Sequence, residues 1–373
     1  MVGLLTIKRI ILTKQPMKSP KKEPNLTALD ETSLGSAHTK AQVNIALIKY
    51  WGKRENTPNL PAVGSLSLTL RDWGSETHIY WHPNPEKRPH TLLLNGQETS
   101  DLKINKVLNR ALEIAAHRGH EWAHPEQVRA TVITQNSVPT ASGLASSASG
   151  MAALGTAIWS SFGWMDEVYQ IQRGQRTQRS DELVDLVRIG SGSAIRSLLG
   201  GLVRLDRDGQ TLTQLCDPTS WSLALVVCVV DPGPKAVSSR EGMERTRLTS
   251  PLYVSWVDSH ASDLDEAEEA VHARDLARLG ELMEHSTLKM HAVMWGSRPP
   301  LRYLKGISLE LLDAVSELRS AGVGAWATMD AGPHVKVLCE QNNAQKIRDH
   351  LSNIPGVYEV LIRYPGGPVE VKS

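Results

Sequence analysis

At 373 residues the chain is long enough for two domains with a sizeable core, and 40% apolar with 22% charged residues is ordinary for a globular protein in water. Lys+Arg 41 against Asp+Glu 40 leaves a formal charge of +1, which excludes a chain-wide field for nucleic acid or an anionic membrane and confines any anion site to a local cluster. No apolar run approaches the roughly 20 residues that span a bilayer, and Cys216, Cys228 and Cys339, widely spaced in strand-like apolar contexts, suit buried thiols in a reducing, cytoplasmic setting rather than a disulfide framework.

In chain order, residues 1–36 read as a disordered extension, with Lys8 and Arg9 breaking a modest apolar stretch and Lys and Pro enriched over 14–25. Residues 39–51 read as a strand that runs at once into Gly52, Lys53 and Arg54. Lys49, Tyr50 and Lys53 therefore crowd one strand end, a pattern that a solvated edge also produces. Short strands are expected over 66–70, 77–81 and 91–94 between Gly, Pro and Asn turns, then a helix over 104–117 stopped by Gly119. His120, Glu121 and His124 match H-E-x-x-H, but Gly119 before them and Pro125 after deny the helix that would put both imidazoles on one face.

A strand over 130–134 leads through Pro139 and Gly143 into an Ala-rich helix over 144–162. The junction, Val138-Pro-Thr-Ala-Ser-Gly-Leu-Ala-Ser-Ser-Ala-Ser-Gly150, is built of small residues that leave backbone N–H groups reachable, and Ser142, Ser146 and Ser147 add hydroxyl donors where a helix N-terminus attracts anions. An ordinary serine-capped buried helix fits the same residues. After a polar connection, a helix beginning over 181–187 runs into Arg188-Ile-Gly-Ser-Gly-Ser-Ala-Ile-Arg-Ser197, where Arg196 lies about one turn beyond Ser193. Its guanidinium suits a carboxylate or phosphate, or a local acid.

Strands at 202–205 and 223–230 flank a boundary at 217–219. The second half alternates helices (253–274, 276–294, 308–321) with strands (324–329, 335–339, 357–362), an α+β order. Ser286 and Lys289 form an S-x-x-K pair whose K-T-G and S-D-N companions are absent. Asp330 stands where a strand gives way to a turn; it is either a turn former or an acid that needs a partner from the first half.

Four stretches in this order, Asn44-Ile-Ala-Leu-Ile-Lys-Tyr-Trp-Gly-Lys-Arg54, residues 139–150, Gly190-Ser-Gly-Ser-Ala-Ile-Arg-Ser197 and Met329-Asp-Ala-Gly-Pro333, resemble the mevalonate diphosphate decarboxylases of the GHMP kinase superfamily from about residue 40 to the end. The resemblance implies a two-domain α+β GHMP kinase fold, with a ribosomal protein S5 domain 2-like N-terminal domain over 37–217 and a ferredoxin-like C-terminal domain over 218–373. It implies that ATP and Mg²⁺ serve the conversion of mevalonate 5-diphosphate to isopentenyl diphosphate, with phosphorylation of the 3-hydroxyl preceding loss of phosphate and carbon dioxide. A cytoplasmic homodimer without nucleic-acid or membrane partners is implied as well.

By the same resemblance Asp330 is the catalytic aspartate, Lys49 lies beside it, and Arg196 clamps the substrate carboxylate near Ser191 and Ser193. Tyr50, Lys53 and Arg247 match positions that hold the diphosphate. Pro139, Ser142, Gly143, Leu144, Ala145, Ser146 and Ser147 match the ATP-phosphate loop, with Ser147 toward Mg²⁺. The chain departs from the family at Val63-Gly64-Ser65, at Ile195 where Cys is common and at His334 where Asn is frequent. Lys53 and Arg247 would also serve a single phosphate, which leaves a mevalonate 5-phosphate decarboxylase or a 3-kinase as alternatives. A non-catalytic ligand sensor would lack the acid or the phosphate loop.

Overall fold

A computed structural model of the chain describes residues 29–372 apart from 31, 56, 58, 139–145, 232 and 234. The expected extension falls largely outside these residues. Seven strands of the first half, β1 (Gly35–Ile48), β2 (Ser65–Pro83), β3 (Thr91–Leu94), β4 (Gln97–Thr99), β5 (Val128–Asn136), β6 (Leu202–Leu205) and β7 (Leu212–Cys216), form one sheet in which only the β3–β5 pairing is parallel. A second, fully antiparallel sheet follows from β8 (Leu223–Val229), β9 (Trp326–Met329), β10 (Val335–Glu340) and β11 (Glu359–Arg363), in the order β11-β8-β10-β9. The last strand, β12 (Glu370–Lys372), returns to pair with β1 as the eighth strand of the first sheet.

Packing explains why β8 reads as an unbroken apolar run. Leu223, Leu225 and Val227 face a core shared with Val43, Ile45 and Leu47 of β1 and with Leu279 and Met283 of the helix Leu276–Trp295. Ala224, Val226 and Cys228 face the other way, onto Leu311 and Val315 of the helix Gly306–Ser320 and Ile347 and Leu351 of the helix Ala344–Ser352. A side chain of this size contributes about 1.5–3 kcal/mol when fully buried, so the seam between the sheets is held by a continuous apolar layer. The first core cluster lies on the opposite side of the first sheet, around Trp81, Trp159 and the helix Ser146–Ser161.

Several expected boundaries are corrected. β1 ends at Ile48, three residues early, so Lys49, Tyr50 and Trp51 leave the ladder and turn at Gly52, whose φ is +101°. The strands expected at 66–70 and 77–81 are one strand of 19 residues. Asp72 (φ 67°) and Gly74 make a bulge within it rather than a turn, opposite the register shift between Gln42 and Asn44. The bulge re-aims the strand, so its first part pairs with β6 and its second with β5. The helix expected over 253–274 breaks into Tyr253–Asp258 and His260–Ala273, with the Ser259 hydroxyl donating back to the Ser255 carbonyl. The polar connection after residue 162 contains a helix, Met165–Gln172. All three cysteines are free; Cys228 and Cys339 are buried, whereas Cys216 is only half-buried at the end of β7.

A Cβ added to Gly74 would lie 2.1 Å from the Ala41 carbonyl oxygen, a backbone atom that yields only if β1 and β2 part. We expect Gly74→Ala to destabilise the fold by about 1–3 kcal/mol, read as a lower midpoint in chemical denaturation. A midpoint equal to wild type would show that the bulge does not require glycine.

Candidate active site

The early end of β1 sends Lys49 inward. Its backbone N–H donates to the Ser286 hydroxyl at 3.0 Å, and its Nζ donates to the Ala46 carbonyl at 2.8 Å. Trp326, Thr328 and Asp330 share one face by strand alternation, and the Thr328 hydroxyl bonds that of Thr287 in the helix that carries Ser286. These contacts register the second sheet against β1 and bring Asp330 to Lys49: Lys49 Nζ donates to Asp330 Oδ1 at 2.8 Å. Lys336, on β10, donates to Oδ2 of the same carboxylate at 2.7 Å. Both ammonium groups are 1% exposed, while the carboxylate is 27% exposed.

Burial alone would raise the pKa of Asp330, but Lys336 and Lys49 outweigh it and hold the carboxyl well below the usual range. Burial lowers Lys49 to about 8 against the pull of Asp330. His291, buried beside these groups, is held neutral, lowered to about 4 by desolvation and then by Lys49.

Arg196 lies in a short 3-10 turn, Ala194–Leu198, that follows the helix Gln178–Gly190. It is 2% exposed. Nε and Nη2 donate to Asn44 Oδ1 at 3.1 and 2.9 Å, Nη1 donates to the Ser65 hydroxyl, and Cζ stands 5.8 Å from the centre of the Tyr50 ring. Desolvation lowers it to about 10. Two other largely buried arginines are paired with acids: Arg118 with Glu167 and Glu182, and Arg204 with Asp206, Asp265 and Glu268. Arg196 is held by neutral oxygens and keeps its charge for something else.

Asp330, Lys49 and Arg196 line one cleft of about 440 Å³ together with Tyr50, Lys53, Ser147, Ser191 and Ser193. Among the described residues the cleft is lined by six cationic residues, Lys49, Lys53, Lys103, Lys235, Arg196 and Arg240, against one carboxylate, Asp330. The cations fall into two groups. Lys49 contacts Asp330, and Arg196 and Lys235 lie within its electrostatic reach, whereas Lys53 and Arg240 meet at Asn59 Oδ1, with Lys103 close enough to repel Lys53. Burial, then Arg240, lowers Lys53 to about 8. The Ser191 and Ser193 hydroxyls are 3.3 Å apart, and a Cβ on Gly192 between them would lie 2.2 Å from the Tyr50 hydroxyl, so this loop is packed directly on Tyr50.

Ser147 belongs to the first turn of the helix Ser146–Ser161, is exposed and lines the cleft. Pro139, Ser142, Gly143, Leu144 and Ala145 lie outside the described residues, as does the side chain of Ser146. Arg247 is not among the cleft residues; it forms ion pairs with Glu244 and Glu55. Ser286 and Lys289 point to different tasks, the first to the Lys49 backbone and the second to Asp263. Residues 120–124 are not helical, and the His120 ring packs on Trp122, Phe162 and Trp164. Among the described residues one group, His38, Glu76 and His78, brings metal-type ligand atoms together, outside the cleft. An ion pair (His38–Glu76) and ring stacking (His38–His78) account for its geometry.

Sequence reasoning missed Lys336, Ser65, Asn59, Lys235 and Arg240. Lys336 stands alone in the apolar run Val-Lys-Val-Leu-Cys of β10, and a lone cation in such a run was the available signal. Ser65 sits in the stretch that departs from the family, yet it holds Arg196.

Known proteins resemble the chain over most of its length. A family model described as the diphosphomevalonate decarboxylase-like N-terminal domain matches residues 41–216, and one described as the mevalonate 5-diphosphate decarboxylase C-terminal domain matches residues 225–360. The diphosphomevalonate decarboxylase of Candida albicans is 32% identical over 337 residues, covering 86% of this chain and 90% of that protein. The solved mevalonate diphosphate decarboxylase of Staphylococcus aureus is similar at 34% identity and a TM-score of 0.78, covering 91% and 98% of the two chains. That of Enterococcus faecalis, in a study of mevalonate diphosphate mediated ATP binding, is 33% identical with a TM-score of 0.77 over 91% and 99%. Another structure, a complex with MVAPP, AMPPCP and magnesium, gives 34%, 0.78, 91% and 99%.

Replacing Asn44 by alanine removes the oxygen that receives two donors of a buried guanidinium. We expect Asn44→Ala to cost about 1–3 kcal/mol of stability and to loosen Arg196, measured by denaturant titration beside steady-state kinetics. Wild-type values in both would mean that Asn44 does not hold Arg196 in place. With the two-sheet α+β architecture, the cation-lined cleft and the coverage of both halves by family models in agreement, the chain belongs to the diphosphomevalonate decarboxylase family and has its two-domain GHMP-type fold.

Proposed function

We propose that the chain catalyses ATP-dependent decarboxylation of mevalonate 5-diphosphate to isopentenyl diphosphate, with ADP, phosphate and carbon dioxide as the other products. The observation that carries this reading is Asp330, a carboxylate kept ionised between two buried ammonium groups in a cleft whose other charged residues, among those described, are all cations. The two cation groups match a substrate that is charged at both ends. Arg196, with Ser191 and Ser193 beside it, faces the carboxylate. Lys53, with Arg240 and Lys103, faces the diphosphate, and Tyr50 packs between.

The donor set fits a nucleotide. Ser147 in the first turn of a helix and the surplus of cations suit polyphosphate, and Ser147, through its hydroxyl, would be the residue to hold a Mg²⁺ bound with the nucleotide. When bound, ATP with Mg²⁺ supplies the phosphoryl group that makes the tertiary 3-oxygen a competent leaving group. For that transfer Asp330 orients the 3-hydroxyl and accepts its hydrogen bond, and Lys49 compensates the charge that moves with the proton. Arg196 holds the carboxylate in line for fragmentation, through a bidentate geometry that Lys cannot reproduce. Arg247, engaged with Glu244 and Glu55, is no part of this reading unless those pairs open. We also read the molecule as a cytoplasmic homodimer; the three free thiols and the exposed Leu248, Leu252 and Val254 support that.

In an assay of carbon dioxide and ADP, Asp330→Asn is expected to lower kcat by about 10²–10⁴-fold, with nucleotide binding retained. Arg196→Lys should lose turnover while still binding ATP. Near-normal product formation by the Asp330 variant would overturn the assignment, and carbon dioxide release from mevalonate 5-phosphate alone would favour the monophosphate enzyme. The lysines add a pH signature. Lys49 and Lys53, lowered to about 8, lose their protons as pH rises through that value, and anions bind the protonated forms. The KM for the diphosphate substrate should therefore climb above about pH 8; a flat KM from pH 7 to 10 would contradict it.

A further inference from the structure

We propose that Lys336 is a positioning residue for this reaction: it holds Oδ2 of Asp330 so that the carboxylate meets the substrate hydroxyl ionised and in one orientation. The inference rests on the proposed function for its substrate but on the geometry for its mechanism. β10 alternates strictly. Val335, Val337 and Cys339 face the core beneath the sheet, and Leu338 faces the seam with β1, on the same side as Lys336. Register places Lys336 opposite Thr328 on one neighbour and Val227 on the other. At that position an apolar side chain would complete the seam, whereas the ammonium is 1% exposed and, among the described residues, bonds only Asp330.

A buried charge in an apolar layer is costly, and Lys49 alone already supplies Asp330 with a counter-ion. A second cation adds two things that stability does not require. Each carboxylate oxygen has two acceptor positions, so one ammonium on each oxygen fixes the plane of the carboxylate and leaves one position on each for substrate. Two cations also hold the group ionised where burial would protonate it. In the transfer step the 3-oxygen bonds to phosphorus, the phosphorus–oxygen bond to ADP breaks with its electron pair on ADP, and the hydroxyl proton leaves along its hydrogen bond to Asp330. A carboxylate free to rotate about its Cα–Cβ and Cβ–Cγ bonds would satisfy this alignment for only part of the time.

The test compares Lys336→Met, Lys336→Gln and Lys336→Arg in the full chain with wild type. For the Met and Gln variants we expect kcat to fall about 10–100-fold, KM for mevalonate 5-diphosphate and ATP to stay within about threefold, and the acid limb of the kcat profile to move to higher pH. The direction follows because removing a cation raises the pKa of Asp330. Lys336→Arg, which restores the cation, should recover most of the loss. An acid limb and kcat equal to wild type in a folded Gln variant overturn the proposal. So does equal impairment of all three variants with an unmoved limb, which is what a packing role would give. If the Met variant does not fold, the Gln and Arg pair decides. Should wild type release no carbon dioxide from mevalonate 5-diphosphate, the proposed function fails by itself. The ¹³C carboxyl titration of Asp330, assigned by its loss in Asp330→Asn, then decides on Lys336: a higher midpoint in the Gln variant supports the proposal and an unmoved one overturns it.

Discussion

The carboxylate of Asp330, clasped by Lys49 from the first sheet and Lys336 from the second, is the contact on which the rest of the site depends. It forms only because β1 stops at Ile48 and β9 ends at Met329, so that both segments turn toward the same point. Thr328 and Ser286 hold the surrounding seam through hydrogen bonds to Thr287 and to the Lys49 backbone. Two buried ammonium groups against one carboxylate leave a net positive charge in a low-dielectric place, and apolar side chains of the same volume would serve stability at least as well. The trio makes sense as part of a surface that is completed by an anionic ligand.

Arg196 follows the same logic with different partners. A guanidinium satisfied by a carboxylate is finished, whereas one satisfied by Asn44 and Ser65 is oriented but still charged. The contrast with Arg118 and Arg204, each shared between acids, separates arginines that tie the fold together from Arg196, which is kept for binding. Fixing a fork by neutral acceptors on β1 and β2 also means that its direction is set by the sheet, the most rigid part of the first half.

Much of this was legible in the sequence, and the reasons divide cleanly. Elements with strong periodicity were readable: β8, the helix Leu276–Trp295 and the helix Gly306–Ser320 lie within a few residues of expectation. Asp330, Lys49, Arg196, Ser191 and Ser193 were found as motif residues and converge on one cleft. What failed were features set by distant partners. Gly74 looked like a turn because glycine permits both a turn and a bulge, and only the approach of Ala41 distinguishes them. β7 and β12 are short and gain their strand character from the neighbours they pair with. Arg247, expected at the diphosphate, lies outside the cleft lining and pairs with Glu55 of the first half as well as with Glu244 one turn earlier on its own helix.

Lys336 shows most clearly why a site is harder to read than a fold. Alternation on a strand normally puts a lysine in solvent, and nothing local says that both faces of β10 are covered. That fact is carried by the helices Gly306–Ser320 and Ala344–Ser352 on one side and by β1 on the other. Once both faces are known to be buried, the same lysine changes meaning, because an ammonium without an acceptor there would cost several kcal/mol. Its acceptor must therefore be close, and the carboxylate that strand geometry brings nearest is Asp330, six residues earlier across the turn from β9. The step from periodicity to chemistry thus runs through burial: a polar residue where the pattern demands an apolar one identifies its partner, and the partner identifies the site.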